Sequence, residues 1–271
     1  MKIKTNGIQM NYELSGKGKD LVLIHGFTDN LNMWFNQAPE FSKQYRVLRY
    51  DVRGFGQTEK AQGPYSMDLF ADDLHELLKA IGLQSACILG YSMGGRIALE
   101  FCMKYPQEAA GLVLANSVVG APTTPDREER TKMMIEMIQN GNNELISEIM
   151  TVNSFSPGFK EKDLTTFNQY KAIKLQNDPS GYLPVMMAMG AAAIVPVDLN
   201  LVKCPVLMLA GTADNFMPLN AAEEMHKTMK GSVLKTFPTG HIVAIEAPQA
   251  FNETVLAFLK ETQYSPNLKG H

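Results

Sequence analysis

Gly90-Tyr91-Ser92-Met93-Gly94-Gly95 lies between the apolar run Ala86 to Leu89 and a helical pattern that opens near Gly94. The spacing G-x-S-x-G describes a strand-to-helix turn so sharp that its serine is held strained and exposed. Small residues flank the serine because side chains there would strike the backbone. The helix N-terminus beneath the turn favours negative charge developing beside the hydroxyl. Ser92 is therefore a candidate nucleophile, although the string alone also fits a glycine-rich turn with an incidental serine.

Working outward, Leu21 to Ile24, Tyr45 to Tyr50, Leu112 to Ala115, Val206 to Leu209 and Val233 to Phe237 join Ala86 to Leu89 as short apolar runs. Such runs read as buried strands of a largely parallel sheet. Thr5-Asn6-Gly7 separates two alternating segments, and Asn-Gly takes the positive φ values of a tight hairpin, so two antiparallel strands should open the chain. Helical patterns separate most of the runs. The clearest spans Ser66 to Ile81, with Ser66 as N-cap, Phe70, Leu74 and Leu78 at four-residue spacing, and Gly82 as terminator.

The alternation breaks between about Gly120 and Pro196. Helical patterns there run near Asp126 to Gln139, Glu144 to Val152, Lys162 to Gln176 and Tyr182 to Ile194, with no strand. We expect an α/β core over residues 1–120 and 197–271, and a helical cap over 121–196 covering the carboxyl edge of the sheet, where ligands of such sheets bind. The apolar stretch Leu183 to Val197 is interrupted by Pro184 and Pro196 and is shorter than the roughly 20 residues of a bilayer span, so a buried helix is expected there. The tail after Thr262 should fray.

The 271 residues are 45% hydrophobic and 20% charged, which excludes disordered and coiled-coil classes. A net charge of -3, from 25 basic and 28 acidic residues, gives no positive field for nucleic acid or anionic lipid. Cys87, Cys102 and Cys204 are odd in number and lack metal-ligand spacing, which points to buried reduced thiols, no metal and a cytoplasmic protein. No apolar stretch of signal-peptide length follows the first lysines. The sequence does not set the oligomeric state.

A serine nucleophile needs a base, normally a histidine oriented by a carboxylate. Of five histidines, His25 precedes the nucleophile at an early strand end, His75 and His226 fall in helical patterns, and His271 ends the chain. His241 remains, in a loop just past the last expected strand. Asp214, in Gly211-Thr212-Ala213-Asp214, follows the strand Val206 to Leu209, whereas the strand end after Ala115 offers Asn116 and Ser117 and no carboxylate. A turn aspartate is the plain alternative for Asp214. Two backbone amides should hold the oxyanion: that of Met93, and that of Phe27 in the loop His25-Gly26-Phe27-Thr28.

Taken together, H-G-F-T at His25 to Thr28, D-V-R-G-F-G at Asp51 to Gly56, G-Y-S-M-G-G at Gly90 to Gly95, G-T-A-D at Gly211 to Asp214 and G-H at Gly240-His241 resemble the α/β-hydrolase superfamily. The triad order Ser, Asp, His agrees. The resemblance implies an eight-stranded, mostly parallel sheet with a helical cap after the sixth strand, and makes Asp51 and Arg53 parts of a structural loop. A serine at 92 argues against haloalkane dehalogenases and epoxide hydrolases, which use aspartate there. The stretch Arg46 to Gly54, taken with the nucleophile motif, resembles 3-oxoadipate enol-lactonases and small carboxylesterases. Gly90 to Ala98 also looks like the pyruvate-eliminating enzyme of the menaquinone pathway, where Arg96 would match an arginine that binds a substrate carboxylate. Few arginines in the cap count against that function, and the carboxylated substrate of an enol-lactonase meets the same objection.

Met133, Met134, Met137, Met150, Met186, Met187 and Met189 fall in the cap, where they could line a lid over an apolar group or pack cap helices together. Trp34 reads as packing. The expected function is cofactor-free hydrolysis of a small, mainly apolar carboxylic ester or lactone through an acyl-enzyme. Carbon-carbon hydrolysis, pyruvate elimination and ligand-sensing signalling on the same fold are the alternatives.

Overall fold

A hairpin opens the chain: β1 (Lys2–Thr5) and β2 (Ile8–Ser15) pair antiparallel, and the turn between them holds Asn6 at φ 44° and Gly7 at φ 78°. Two successive positive φ values are what Asn-Gly supplies at little steric cost. The structure, a computed structural model, describes residues 1–119 and 125–264. β3 (Asp20–Ile24), β4 (Arg46–Tyr50), β5 (Ala86–Tyr91), β6 (Ala109–Ala115), β7 (Val206–Gly211) and β8 (Val233–Phe237) complete an eight-stranded sheet ordered β1-β2-β4-β3-β5-β6-β7-β8. β2 joins β4 antiparallel, and all pairings from β4 through β3 to β8 are parallel. β5, β6 and β7 extend beyond the apolar runs through Gly90, Gly111 and Gly211. Glycines give no hydrophobic signal yet pair through their backbone.

Side-chain alternation along the parallel strands feeds two cores. Val22, Ile24, Ile88, Leu112 and Met208 meet the apolar faces of α2 (Met67–Ala80) and α3 (Met93–Lys104) on one side of the sheet. Leu21, Leu23, Leu89, Val113 and Leu207 meet Trp34, Phe41 of α1 (Ala38–Phe41) and Phe251 on the other. Ser66 caps α2 as expected, its Oγ accepting the Leu69 N–H at 3.0 Å, and Gly82 follows the helix at φ 74°. Trp34 is wholly buried near Phe251, which is packing. Asp51 accepts from the Leu31 and Gln57 amides and from Asn11, and Arg53 forms a buried pair with Asp73 at 2.6 Å, so both residues of that loop act structurally.

Between β6 and β7 come α4 (Pro125–Gln139), α5 (Asn143–Ser154), α6 (Phe159–Lys162), α7 (Leu164–Leu175) and α8 (Tyr182–Ala193), with no strand among the described residues. The four-residue α6 is too short to show a period in sequence. The expected boundary at 120/121 lies on residues 120–124, outside the described residues, as does the tail from 265 onward. One expectation for this segment is corrected. The stretch Leu183 to Val197 is not buried: Met187, Ile194 and Val195 are 68%, 80% and 57% exposed, and only a stripe through Tyr182, Val185 and Ala188 is fully covered. A helix with apolar residues all round buries only the stripe that its neighbours reach.

After β7 the chain adds α9 (Leu219–Thr228), α10 (Val243–Glu246) and α11 (Pro248–Tyr264). No helix among the described residues is long and apolar enough to cross a membrane. All three cysteines are free, and Cys204 is half-buried rather than buried as expected, because it sits in the partly exposed turn before β7.

Candidate active site

β5 runs directly into α3, and Ser92 makes the corner at φ 52°, ψ -116°. A non-glycine residue there is strained, and the surroundings fix it: the Ser92 N–H donates to Ala115 O at 2.9 Å while its carbonyl accepts from the Gly95 amide at 3.0 Å. The neighbouring glycines are steric requirements. A Cβ at Gly90 would lie 2.1 Å from the Gly94 carbonyl oxygen, and one at Gly94 would lie 2.3 Å from that of Ile24. Gly94→Ala should therefore cost about 1–3 kcal/mol of stability, as overpacking does. A thermal melt would check this, and an unchanged midpoint would mean that the corner can give way.

The two other side chains arrive from neighbouring strand ends. His241, in the loop after β8, places Nε2 2.9 Å from Ser92 Oγ and Nδ1 2.8 Å from Asp214 Oδ2, just past β7. Both His241 and Asp214 are buried. Asp214 is held on each oxygen: Oδ1 accepts the Phe216 and Met217 amides at 2.8 Å each, and Oδ2 also accepts from Asn116 Nδ2 at 3.0 Å. Burial by itself would raise this carboxyl, but the charge and hydrogen bond of His241, the Met217 amide and Asn116 together keep it below its ordinary range. An ionised carboxylate only accepts, so Nδ1 must carry the imidazole proton. Nε2 is then free to accept from the serine hydroxyl. The geometry brings the expected Ser92, Asp214 and His241 together. Asn116, passed over in the sequence because it offers no carboxylate, holds the acid from the end of β6 at φ 48° through its side-chain NH₂.

The remaining histidines are engaged elsewhere. His75 stacks on Tyr105 and pairs with Glu108, His226 bonds Ser232, and His271 lies outside the described residues. His25 is wholly buried. Its Nε2 accepts the Val52 N–H at 2.9 Å, and its Nδ1–H donates to Gly26 O at 2.8 Å. Burial lowers its pKa despite nearby Asp51 and Asp29, in keeping with a neutral ring.

Gly26 O and the Phe27 N–H belong to one peptide plane, so pinning the carbonyl, which also accepts the Asp29 amide at 3.2 Å, aims the N–H. No acceptor among the described residues takes the N–H of Phe27 or of Met93. The loop lies against the serine corner: a Cβ on Gly26 would come within 2.7 Å of the Tyr91 ring, and Gly94 packs on the carbonyls of Ile24 and His25.

Residues 20–248 match the family described as the alpha/beta hydrolase fold. This chain belongs to the α/β-hydrolase family. It is 27% identical over 255 residues to 3-oxoadipate enol-lactonase 2 of Acinetobacter baylyi, covering 93% of this chain and 94% of that protein. A thermophilic esterase from Thermogutta terrifontis superposes with a TM-score of 0.87 at 28% identity, covering 97% of this chain and 98% of the esterase. The enol-lactonase from Burkholderia xenovorans shares the fold with a TM-score of 0.88 at 24% identity, covering 96% of this chain and all of that one.

In this α/β-hydrolase a cavity of about 80 Å³ adjoins Ser92, lined mainly by Met67, Met93, Val118, Met189 and Met217. Of the seven methionines expected in the cap only Met189 reaches it, and Met133 and Met187 are exposed. The other methionines of the cavity come from the sheet-bearing part of the chain, where nothing in the sequence distinguishes them from core. Arg96 also borders the cavity, but its Nε and Nη2 both donate to Glu100 Oε1, at 3.0 and 2.6 Å. A larger cleft of about 620 Å³, bordered by Phe35, Pro39, Arg49 and Gln176, contains none of Ser92, Asp214 and His241. Size alone would therefore point away from the hydrogen-bonded Ser92, Asp214 and His241.

Proposed function

We propose that this α/β-hydrolase cleaves small, neutral, mainly apolar carboxylic esters through an acyl-enzyme. The reading is carried by the Ser92–His241–Asp214 hydrogen-bond series. Ser92 Oγ attacks the ester carbonyl carbon as His241 Nε2 takes its proton, and the amides of Phe27 and Met93 receive the oxyanion. Collapse expels the alcohol, which takes the proton from His241. Water, deprotonated by the same imidazole, then attacks the acyl-enzyme, and the acid leaves. Asp214 fixes the tautomer and offsets the imidazolium charge. No cofactor enters these steps, the helices between β6 and β7 act as the cap, and the three unpaired cysteines favour a cytoplasmic setting.

The preference for a neutral acyl group rests on Arg96. Among the described lining residues it is the one cation, and Glu100 already offsets its charge and takes two of its five N–H donors, so a substrate carboxylate would meet a guanidinium that is largely neutralised and would stand near a second carboxylate. That favours esters over carboxylated lactones. A space of about 80 Å³ is well below the roughly 300–1,000 Å³ of clefts that hold whole ligands, which favours short acyl chains.

The test is steady-state hydrolysis of p-nitrophenyl esters from acetate to dodecanoate, together with the hemisuccinate. We expect sustained turnover with kcat/KM highest at two to four carbons, and the butyrate ester preferred over the hemisuccinate by at least about tenfold, the penalty of roughly 1.4 kcal/mol for one unpaired polar group. A single burst followed by a stall would favour ligand-sensing. A preference for the hemisuccinate would overturn the neutral acyl site.

A further inference from the structure

Lys174 on α7 is 1% exposed, and its Nζ lies 2.5 Å from Oδ1 of Asp29, which is wholly buried. All three ammonium donors find acceptors: Asp29 Oδ1, Thr28 Oγ1 at 3.2 Å and the Tyr170 hydroxyl at 3.0 Å, the last donating in turn to Asp29 Oδ2. Desolvation lowers the lysine pKa, while Asp29 opposes that shift. A buried ion pair of this kind is weak evidence for stability, since apolar residues of similar volume often serve as well. Its better-attested use is to fix one arrangement of the elements it joins.

The elements joined are α7 and the loop that carries Phe27. Thr28 sits at φ 66°, a region that a β-branched residue rarely occupies unless its surroundings hold it there. The surroundings that hold it come from α7 and the turn after it. Lys174 donates to the Thr28 hydroxyl, which donates to Phe27 O at 2.6 Å, and Asn177 Nδ2 donates to Thr28 O at 2.8 Å. On the other side of Phe27, its N–H shares a peptide plane with Gly26 O, pinned by His25 and by the Asp29 amide. Phe27 thus lies between two peptide groups of fixed direction, and one of the two restraints runs through a side chain from the helical segment between β6 and β7. The same network adjoins the serine corner, since Asp29 Oδ2 and the Tyr91 ring both stand against the bare Cα of Gly26.

We propose that Lys174 is a positioning residue for the oxyanion site: through Asp29 and Thr28 it holds the Phe27 amide in register with Ser92. The proposal rests on the ester-hydrolase reading above. It makes the helical segment part of the apparatus that stabilises the transition state, in addition to covering the cavity.

Two variants test it. Lys174→Met keeps most of the length of the side chain but leaves Asp29 without its counter-charge, so it is paired with Lys174→Met/Asp29→Asn, which removes both charges. In each we expect kcat for p-nitrophenyl butyrate to fall about 10- to 100-fold, approaching the loss of one oxyanion donor, with KM changed less than twofold. A trifluoromethyl ketone, whose adduct with the serine carries the oxyanion, should lose affinity by a factor similar to that in kcat. Amide hydrogen exchange across residues 26–31 should quicken in both variants while β5 and β6 stay protected. A double variant that melts like the wild type and keeps its kcat and its loop exchange would overturn the proposal. So would equal losses in kcat and in folded fraction with ketone affinity unchanged, because the lysine would then serve the fold alone. Absence of Ser92-dependent turnover in the wild type would instead overturn the ester reading and, with it, the catalytic part of the proposal, while loop exchange would still report whether Lys174 restrains Phe27.

Discussion

Ser92→Ala is expected to lower kcat for a short p-nitrophenyl ester by on the order of 10⁴- to 10⁶-fold while leaving the fold intact. The size follows from the chemistry: without the hydroxyl no acyl-enzyme can form, and what persists is the binding and oxyanion stabilisation of a water attack. Intact folding follows from the contacts. Among the described residues the serine side chain bonds only His241 Nε2, whereas the bonds that set the corner, to Ala115 and from Gly95, belong to its backbone and survive in alanine. Alanine meets the same φ of 52° with a similar Cβ, so no new strain is added. Steady-state rates, a thermal melt and covalent labelling by a fluorophosphonate read the three consequences separately. Near-wild-type turnover in a well-folded variant, or labelling that persists without the hydroxyl, would remove Ser92 from the mechanism.

The contrast between what that serine reveals in sequence and what its neighbours conceal has a physical origin. Ser92 is legible because a local backbone demand selects residues on both sides of it: Gly90 and Gly94 leave no room for a Cβ. His241 and Asp214 are legible because parallel strands deliver their following loops to one edge, so a polar residue just past a strand end is already close to the serine. The hairpin at Asn6-Gly7 and the cap at Ser66 are written in single residues whose local conformations admit few alternatives. Asn116 obeys the same rule, standing just past β6, but its residue type does not announce a donor to the acid. Lys174 follows no such rule: its partner is fixed by tertiary packing, and a lysine in a helix reads as solvent-exposed until the fold shows Asp29 beneath it. The exposure of α8 is hidden for the related reason that a helix with apolar residues on every side does not state which stripe will find neighbours. The seven methionines expected in a cap illustrate the same limit, since one reaches the cavity while Met67, Met93 and Met217 arrive from elsewhere.

Asp214→Asn is the second large effect, expected to cost on the order of 10⁴-fold in kcat through the wrong imidazole tautomer. In the wild type Oδ1 accepts the Phe216 and Met217 amides, and Oδ2 accepts from His241 Nδ1–H and Asn116 Nδ2. An asparagine that keeps its oxygen on the two amides turns its NH₂ toward two donors. The imidazole can respond by moving its proton to Nε2, which ends its ability to accept from Ser92. Asn116 has no such tautomer and keeps only the Gly240 carbonyl at 3.3 Å. The flipped amide is no better, because the Phe216 and Met217 N–H groups then face the NH₂. Stability carries a pH signature of its own. The folded carboxyl titrates below its ordinary value of 3.8, so its contribution is fully present above that pH and is lost as pH falls through the lower folded value. The difference in melting midpoint between wild type and Asp214→Asn should therefore hold from neutral pH down to about pH 4 and narrow only below it. A kcat within tenfold of wild type would remove Asp214 as the orienting acid. A midpoint difference that narrows near pH 6 would mean that another group, not this carboxylate, sets the linkage.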